Sequence, residues 1–383
     1  MVRFIYNYRV LKKIIMTNIH RVILYILAGV ISIYSIDVSA KSKVKVNVVK
    51  ASELNNATVN VVPYFLPKTV IRVDVEIEKE INKVGPFYRY SEKFLNLTDV
   101  ITENTVNYSI KSIKMSVVGK PDFDRSYLVQ MEGDGVAQNL NLTPQGILCG
   151  INLTENKFSE ENTDMEYDKE QLGIDDVNFD GVPMLEKLLV KTSTASMAEE
   201  AANYIYKIRK RKMKILASDF ENLPPDGVAY QIVDKELDVL EQQFVELFSG
   251  KKVTQTMIRT IEYTPYLQGS DQNVLFRFSD KGGILDSKDL SGTPFYIEIT
   301  NHNEPVFPDN ELEKSDMVKS KGLFYCLPAM VTAKIIDRNI TILEKELRIA
   351  QFGQILSLPP SILERKDAQI ELSPVTGAIL NIR

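Results

Sequence analysis

FLPKTVIRVDVEIEKE, residues 65–80, decides the class of fold. Within it Ile71, Val73, Val75 and Ile77 alternate with Arg72, Asp74, Glu76 and Glu78. Successive side chains of a strand point to opposite faces, so a period of two sets one face in a core and the other in water. That is the pattern of an antiparallel sheet with one wet side. The strand-rich segment runs from Val44 to Ile81 and is broken by Gly85-Pro86. Phe87, Tyr90, Ser91, Phe94 and Leu95 follow at helical spacing, which predicts a short helix starting at Pro86. Strand patterning returns at Val106, Tyr108 and Ile110, then continues at Ile113, Met115 and Val117 with the opposite parity. A parity switch inside one strand predicts a β-bulge near Ser112.

Residues 155–181 differ in composition, with ten acidic residues against Lys157 and Lys169. So few apolar side chains bury too little surface to offset the entropy of ordering, and the stretch reads as a mobile loop or linker. Two amphipathic helices follow. Ala198, Ala201, Ile205, Ile208, Ile215 and Leu216 form the stripe of the first, and Ile232, Val233, Leu237, Leu240, Phe244, Leu247 and Phe248 that of the second. Gly250 stands where a C-terminal cap is needed. The turn-rich connector Asn222-Leu223-Pro224-Pro225-Asp226-Gly227 predicts an antiparallel helical hairpin over 196–249. From Thr254 onward short strands return, separated by turns such as Ser279-Asp280-Lys281-Gly282-Gly283 and Ser291-Gly292-Thr293-Pro294.

The expected fold is therefore α+β, mainly β: two antiparallel β-sandwich-like regions with an inserted antiparallel helical hairpin. The divisions are a signal peptide (1–40), an N-terminal β region (41–153), an acidic linker (154–192), the hairpin (193–250) and a C-terminal β region (251–383). The β regions also share motifs in the same order. Tyr64-Phe65-Leu66-Pro67 matches Tyr325-Cys326-Leu327-Pro328, and the Leu142-Thr143-Pro144 turn with Gly146 matches Leu372-Ser373-Pro374 with Gly377. This predicts two diverged copies of one unit, the first enlarged by the helix-bearing stretch after Gly85.

The first forty residues read as an export signal. Lys12, Lys13 and Arg21 precede a fifteen-residue apolar run from Val22 to Ile36, shorter than a bilayer span of about 20 residues. Val38-Ser39-Ala40 supplies a small-x-small cleavage site before Lys41, leaving no transmembrane span in the mature chain. Removal takes away five basic residues and one acid, leaving 41 basic and 50 acidic residues and a net charge of −9. That balance disfavours nucleic acid and anionic membranes as partners. The two cysteines, Cys149 and Cys326, either pair in an oxidising envelope or stand apart as buried thiols.

No constellation of residues announces catalysis. The mature chain has one histidine, His302, set among turn residues and without a G-x-S-x-G nucleophile elsewhere. Neither a phosphate-binding glycine loop nor a dinucleotide fingerprint is present, and one histidine with two distant cysteines lacks zinc spacing. Asp176-Val177-Asn178-Phe179-Asp180-Gly181 matches the start of a calcium loop. However, the twelfth position is Lys187, Glu186 falls one place early, and Pro183 interrupts. The metal reading therefore yields to an acidic linker. The basic run Lys207, Arg209, Lys210, Arg211, Lys212 and Lys214 ends a helix, where cations complement the dipole. It is expected to pair with Asp234, Glu236, Asp238 and Glu241 on the facing helix, not with nucleic acid. Paired carboxylates for glycoside hydrolysis remain an alternative, though no pair stands out and tryptophan is absent.

Several longer segments carry a family resemblance. FLPKTVIRVDVEIEKE (65–80), GPFYRYSEKFL (85–95), GKPDFDRSYLVQ (119–130), FRFSDKGG (276–283), DLSGTPFYIEI (289–299), KGLFYCLP (321–328) and SPVTGAI (373–379) resemble exported Bacteroidota proteins grouped as a domain of unknown function, number 4831. The resemblance implies a Gram-negative envelope setting, in the periplasm or at the cell surface. It supplies no activity, cofactor or functional residue. The expected role is that of a non-enzymatic protein binding an envelope protein or surface polymer, with no cofactor, no metal and no catalytic residue assigned.

Overall fold

Alternation at residues 71–77 becomes a strand whose inward side chains Ile71, Val73, Val75 and Ile77 are all fully buried, with Arg72, Asp74 and Glu76 between them half-buried. The computed structural model describes residues 45–50, 61–132, 140–153, 172–183, 191–217, 227–266, 272–302, 322–359 and 368–383. The targeting segment 1–40, residues 155–171 and the hairpin connector 222–226 lie outside the described residues.

The chain opens with β1 (Lys45–Lys50), β2 (Val61–Lys83) and β3 (Thr105–Glu132). β2 and β3 form a long antiparallel hairpin. Glu76 faces Ser112 while Ile77 faces Ile110, so Lys111 is the extra residue of the bulge expected near Ser112. Between these strands a 3-10 turn (Tyr88–Tyr90) leads into α1 (Ser91–Leu95), closed by Asn96 at φ 54°. The short hairpin β4 (Leu140–Leu142) and β5 (Leu148–Ile151) follows.

Next come α2 (Thr194–Leu216) and α3 (Gly227–Ser249). They are antiparallel: Arg209 meets Glu241 at 2.7 Å, and Lys212 meets Glu241 at 2.9 Å and also Asp238. The Ser193 hydroxyl caps α2 by accepting from the Ser196 N–H. Gly250, at φ 86°, ends α3 by donating to the Glu246 carbonyl. Ala198, Ala201, Ile205, Phe244 and Phe248 are fully buried, and Phe87 and Leu95 beside α1 join the same core. The stripes end earlier than the sequence suggests. Leu216, Ile232 and Val233 are exposed, and Leu237 and Leu240 are half-buried against the cluster.

The remaining strands are β6 (Lys251–Tyr263), β7 (Asn273–Ser279), β8 (Gly283–Leu285), β9 (Thr293–Asn301), β10 (Leu323–Asp337), β11 (Ile340–Leu358), β12 (Ile370–Leu372) and β13 (Ile379–Ile382). Among the described residues they complete three sheets, ordered β1-β3-β2-β6, β11-β10-β9-β7-β8 and β13-β12-β5-β4. The mainly β architecture with antiparallel sheets and an inserted helical hairpin is therefore the observed one. Sheets cross the hairpin insertion: β6 pairs with β2 along 71–83, and β12 pairs with β5. The first two sheets pack face to face. Ile71, Val73, Val75, Ile77 and Met115 from one meet Phe276, Ile297, Val331, Ala333, Ile335 and Ile349 from the other.

The two long hairpins repeat one another. In β2–β3, Phe65 faces Ser126 and Leu66 faces Asp122, so the returning strand carries three extra residues there. In β10–β11, Leu327 faces Gln354 and Ala329 faces Ile349, again a net gain of three at the same motif. The small hairpins dock identically. The Phe65 N–H donates to the Gly146 carbonyl at 2.9 Å, and the Cys326 N–H to the Gly377 carbonyl at 3.1 Å. Gly146 and Gly377 lie at φ 82° and 72°, where a side chain is strained. The Gly146 N–H in turn donates to Thr143 (2.8 Å) and the Gly377 N–H to Ser373 (2.7 Å). These are the matched contacts that a duplication predicts. The first copy carries the α1 stretch at its hairpin tip, where the second closes with the two-residue turn Arg338-Asn339.

Candidate functional site

Both long hairpins bulge a second time, and the space between those bulges is a cleft of about 430 Å³. On one side stand Ile110, Lys111, Ser112 and Ile113 of the β3 bulge. On the other stand Asp337, Arg338 and Ile342, where β10 turns into β11. There Ile335 faces Leu343 and Ile336 faces Thr341, so Ile342 is itself an extra residue. A bulge rotates the side chains beside it out of the sheet's alternation, which lets both strands aim polar and apolar groups into one space. Phe278 and Phe295 supply aromatic lining, and Asp280 and Thr293 complete the polar part.

The wall nearest β3 is tied to its neighbours. The Tyr108 N–H donates to the Asp280 carbonyl at 2.7 Å, and Lys281 Nζ donates to Asn107 Oδ1 at 2.8 Å. The polar side chains of the bulge are held from behind: Ser112 Oγ donates to Glu76 Oε2 (2.6 Å), and Lys111 Nζ pairs with Glu78 (2.7 Å). On the opposite side Arg338 occupies φ 56° at the first central position of its turn, a conformation that usually calls for Gly or Asn. Asp337 Oδ1 is buried and has no hydrogen-bond partner among the described residues. A buried acceptor left unpaired costs about 1–3 kcal/mol, more when charged, so such atoms need a reason.

None of these residues was singled out from sequence as a site. The parity switch located the bulge, and the Ser279–Gly283 turn that holds Asp280 was recognised as a turn. Asp337 and Arg338 left no signal, because their turn lacks the glycine that marks a hairpin.

The residues weighed from sequence lie elsewhere. His302 is exposed at the end of β9, with Nε2 hydrogen-bonded to Thr332 Oγ1 in the adjacent strand. Cys149 and Cys326 are both free and fully buried. Burial pushes their thiols up to about 12 and about 11, the latter despite the nearby Arg125. Thiols so protonated are poor nucleophiles.

The calcium-like segment is held by protein cations. Lys79 Nζ donates to the Leu172 carbonyl (2.5 Å), Lys83 Nζ to Ile174 (3.1 Å) and Lys251 Nζ to Asn178 (3.2 Å). Asp176 turns its carboxylate to the Gly173 N–H, and Asn178 turns its side chain to Asp180. Among the described residues no group of three or more His, Cys, Asp or Glu could hold a metal; Glu186 and Lys187 lie outside them. Val177 is buried, and Phe179 and Val182 pack on the hairpin core, so this end of the acidic stretch is anchored. Within the basic run, Arg209 and Lys212 pair with the facing helix as expected. Burial works to raise the Glu241 carboxyl, yet these two cations hold it below its ordinary value.

A further polar cluster closes the joint between the two long hairpins. Thr69 Oγ1 donates to the Val375 carbonyl (2.9 Å) and accepts from the Ala350 N–H (3.0 Å). Gln351 Nε2 donates to the Thr69 carbonyl at 2.9 Å, and Arg125 reaches the Ala350 and Gln351 carbonyls. Beside it Tyr64, Tyr127 and Phe324 stack, and Tyr64 Oη accepts from the Phe324 N–H at 3.0 Å. Burial drives the Tyr64 phenol far above its usual range. Each of these groups is spent on another part of the fold, which is the mark of a structural joint.

Among the described residues no helix is long and apolar enough to cross a membrane. The family model described as Domain of unknown function (DUF4831) matches residues 60–380, and the chain belongs to that family. No curated protein and no solved structure matches the chain.

Proposed function

We propose that this member of the family is an exported envelope protein of a Gram-negative bacterium of the Bacteroidota, and that it acts by binding, without catalysis, through the cleft between the two bulges. The observation that carries the reading is a cleft of about 430 Å³, large enough for a small ligand or a side chain of a partner, in which Ile110, Ile113, Phe278 and Phe295 stand beside the polar groups of Asp280, Thr293 and Arg338. Export is supported by the basic, apolar and small-residue order of residues 1–40, with cleavage before Lys41. A binding role is supported by the inert state of the thiols and by the engagement of His302 with a strand hydroxyl. The partner is an envelope protein or surface polymer. Asp280 and Asp337 both line the cleft, and they are the carboxylates on which the alternative, a glycan hydrolase, would rest.

The test uses the native host. A photo-crosslinking amino acid at Ile342, on the cleft, is compared with one at Ile258, similarly exposed on β6 and outside the cleft. The binding reading expects a discrete adduct with one envelope component from Ile342 alone, on a protein whose mass begins at Lys41. Equal labelling from both positions, or recovery of residues 1–40 on the mature protein, refutes it. Turnover of an envelope glycan that Asp280→Asn or Asp337→Asn abolishes establishes the hydrolase instead.

A further inference from the structure

We propose that β6 is a dimerisation edge, pairing antiparallel with β6 of a second copy of this chain about a two-fold axis at Met257. The surface is separate from the cleft, and the proposal does not depend on it. In an antiparallel ladder every second residue turns its N–H and C=O away from its neighbour, so an edge strand presents a row of such groups. β6 lies at the end of its sheet and, among the described strands, pairs with β2 alone. The other sheet edges are blunted. β1, β4, β8 and β13 span six residues or fewer, and β11 carries the extra residues of two bulges. Short strands and bulges are the devices by which folded chains deter edge-to-edge pairing. β6 has neither: its thirteen residues pair with β2 without a register shift, residues 253–258 carry no charge, and no proline interrupts them.

The strand is self-complementary in one register. Met257, Ile261 and Tyr263 face the core between the sheets, which turns Lys252, Thr254, Thr256, Ile258, Thr260 and Glu262 to the opposite face. A two-fold axis at Met257 sets Lys252 opposite Glu262, Thr254 opposite Thr260, and Thr256 opposite Ile258, each pair occurring twice. Opposite charges and Thr–Thr pairs stabilise neighbouring antiparallel strands, and β-branched residues suit the centre of such a ladder. The charges extend further into each copy. Lys252 pairs with Glu80 at 2.7 Å, and Glu262 pairs with Lys120. Joining two copies therefore aligns Lys120 and Glu262 of one with Lys252 and Glu80 of the other, in alternating sign. An axis at Thr256 would set Lys252 opposite Thr260, and one at Ile258 would carry it past the end of the partner strand, so the charges select Met257. This match of β6 to itself is why the occupant is a second copy and not a foreign strand.

Sedimentation equilibrium of the mature protein tests the proposal, and a concentration-dependent monomer–dimer equilibrium is expected. Thr256→Lys combined with Ile258→Lys sets like charges directly opposite each other twice, and should weaken the dimer by about tenfold or more. Thr256→Lys combined with Ile258→Glu makes the same positions attractive and should restore it. Both positions are exposed, so the monomer's circular dichroism and thermal unfolding should stay as they are, which separates lost pairing from lost fold. Register is read by oxidising an equal mixture of Thr256→Cys and Ile258→Cys chains, one of them tagged. The mixed disulfide should dominate, with the buried Cys149 and Cys326 taking no part. A predominance of either symmetric disulfide overturns the axis at Met257. A chain that stays monomeric up to about 0.5 mM, or a dimer indifferent to the paired lysines, overturns the interface. So does a monomer whose photo-crosslinker at Ile258 captures a different polypeptide, since the edge then accepts a foreign strand. A self-adduct from Ile258 has the mass of two chains, which keeps it distinct from the envelope adduct expected at Ile342.

Discussion

Replacing Phe244 with alanine removes a ring that is completely buried in the hairpin core and lies 4.8 Å from the Tyr204 ring. An aromatic side chain of roughly 200 Å², at about 25 cal/mol per Å², sets an upper figure of about 5 kcal/mol. Truncations of buried phenylalanine cost about 3–5 kcal/mol once the cavity is included. Leu240 lies one turn earlier on the same stripe, and local periodicity gives it equal standing. In the fold it is half-buried, so Leu240→Ala should lose about 1–2 kcal/mol, below the range of about 2–5 for a fully buried leucine. Urea unfolding followed by far-UV circular dichroism reads both variants, since the protein has no tryptophan to report by fluorescence. The gap between the two midpoints is the diagnostic quantity. Equal losses, or a loss below about 1 kcal/mol for Phe244→Ala, would refute this account of the hairpin core.

Two further outcomes follow from other parts of the fold. At Gly377 a new Cβ would come within 3.0 Å of the Cys326 Cβ and 3.1 Å of Pro67, on a backbone at φ 72°. Gly377→Ala should therefore destabilise by about 1–3 kcal/mol in thermal unfolding, and Gly146→Ala should do likewise if the two copies are equivalent. The buried thiols of Cys149 and Cys326, pushed up to about 12 and about 11, should not react with a disulfide reagent at pH 8 until denaturant is added. Both should then titrate; rapid modification of the native protein would show that a cysteine is accessible.

Much of this architecture is determined by local sequence. A period of two at residues 71–77 fixes which side chains of β2 enter the core, because the pleat permits no other division. The change of parity after Ile110 forces a bulge at Lys111, since only an extra residue restores the apolar face to the core. Helical stripes, the glycine cap and the paired charges of the hairpin are equally local, decided within a few turns. What local order leaves open is which distant segments meet. β6 pairs with β2 across more than 160 residues of sequence, and β12 completes the sheet begun by β5, through backbone bonds that carry no residue code. The limits of the helix stripes are open for the same reason: Ile232 and Val233 have the right spacing, but no element packs against them among the described residues. The cleft depends most on tertiary structure. Lys111 and Asp337 are 226 residues apart and share the cleft only because the β2–β3 and β10–β11 hairpins lie in sheets packed face to face. Periodicity reports which face of an element is apolar; the partner for that face, and the spaces left where two irregular strands fail to fill each other, are set by the packing of the whole chain.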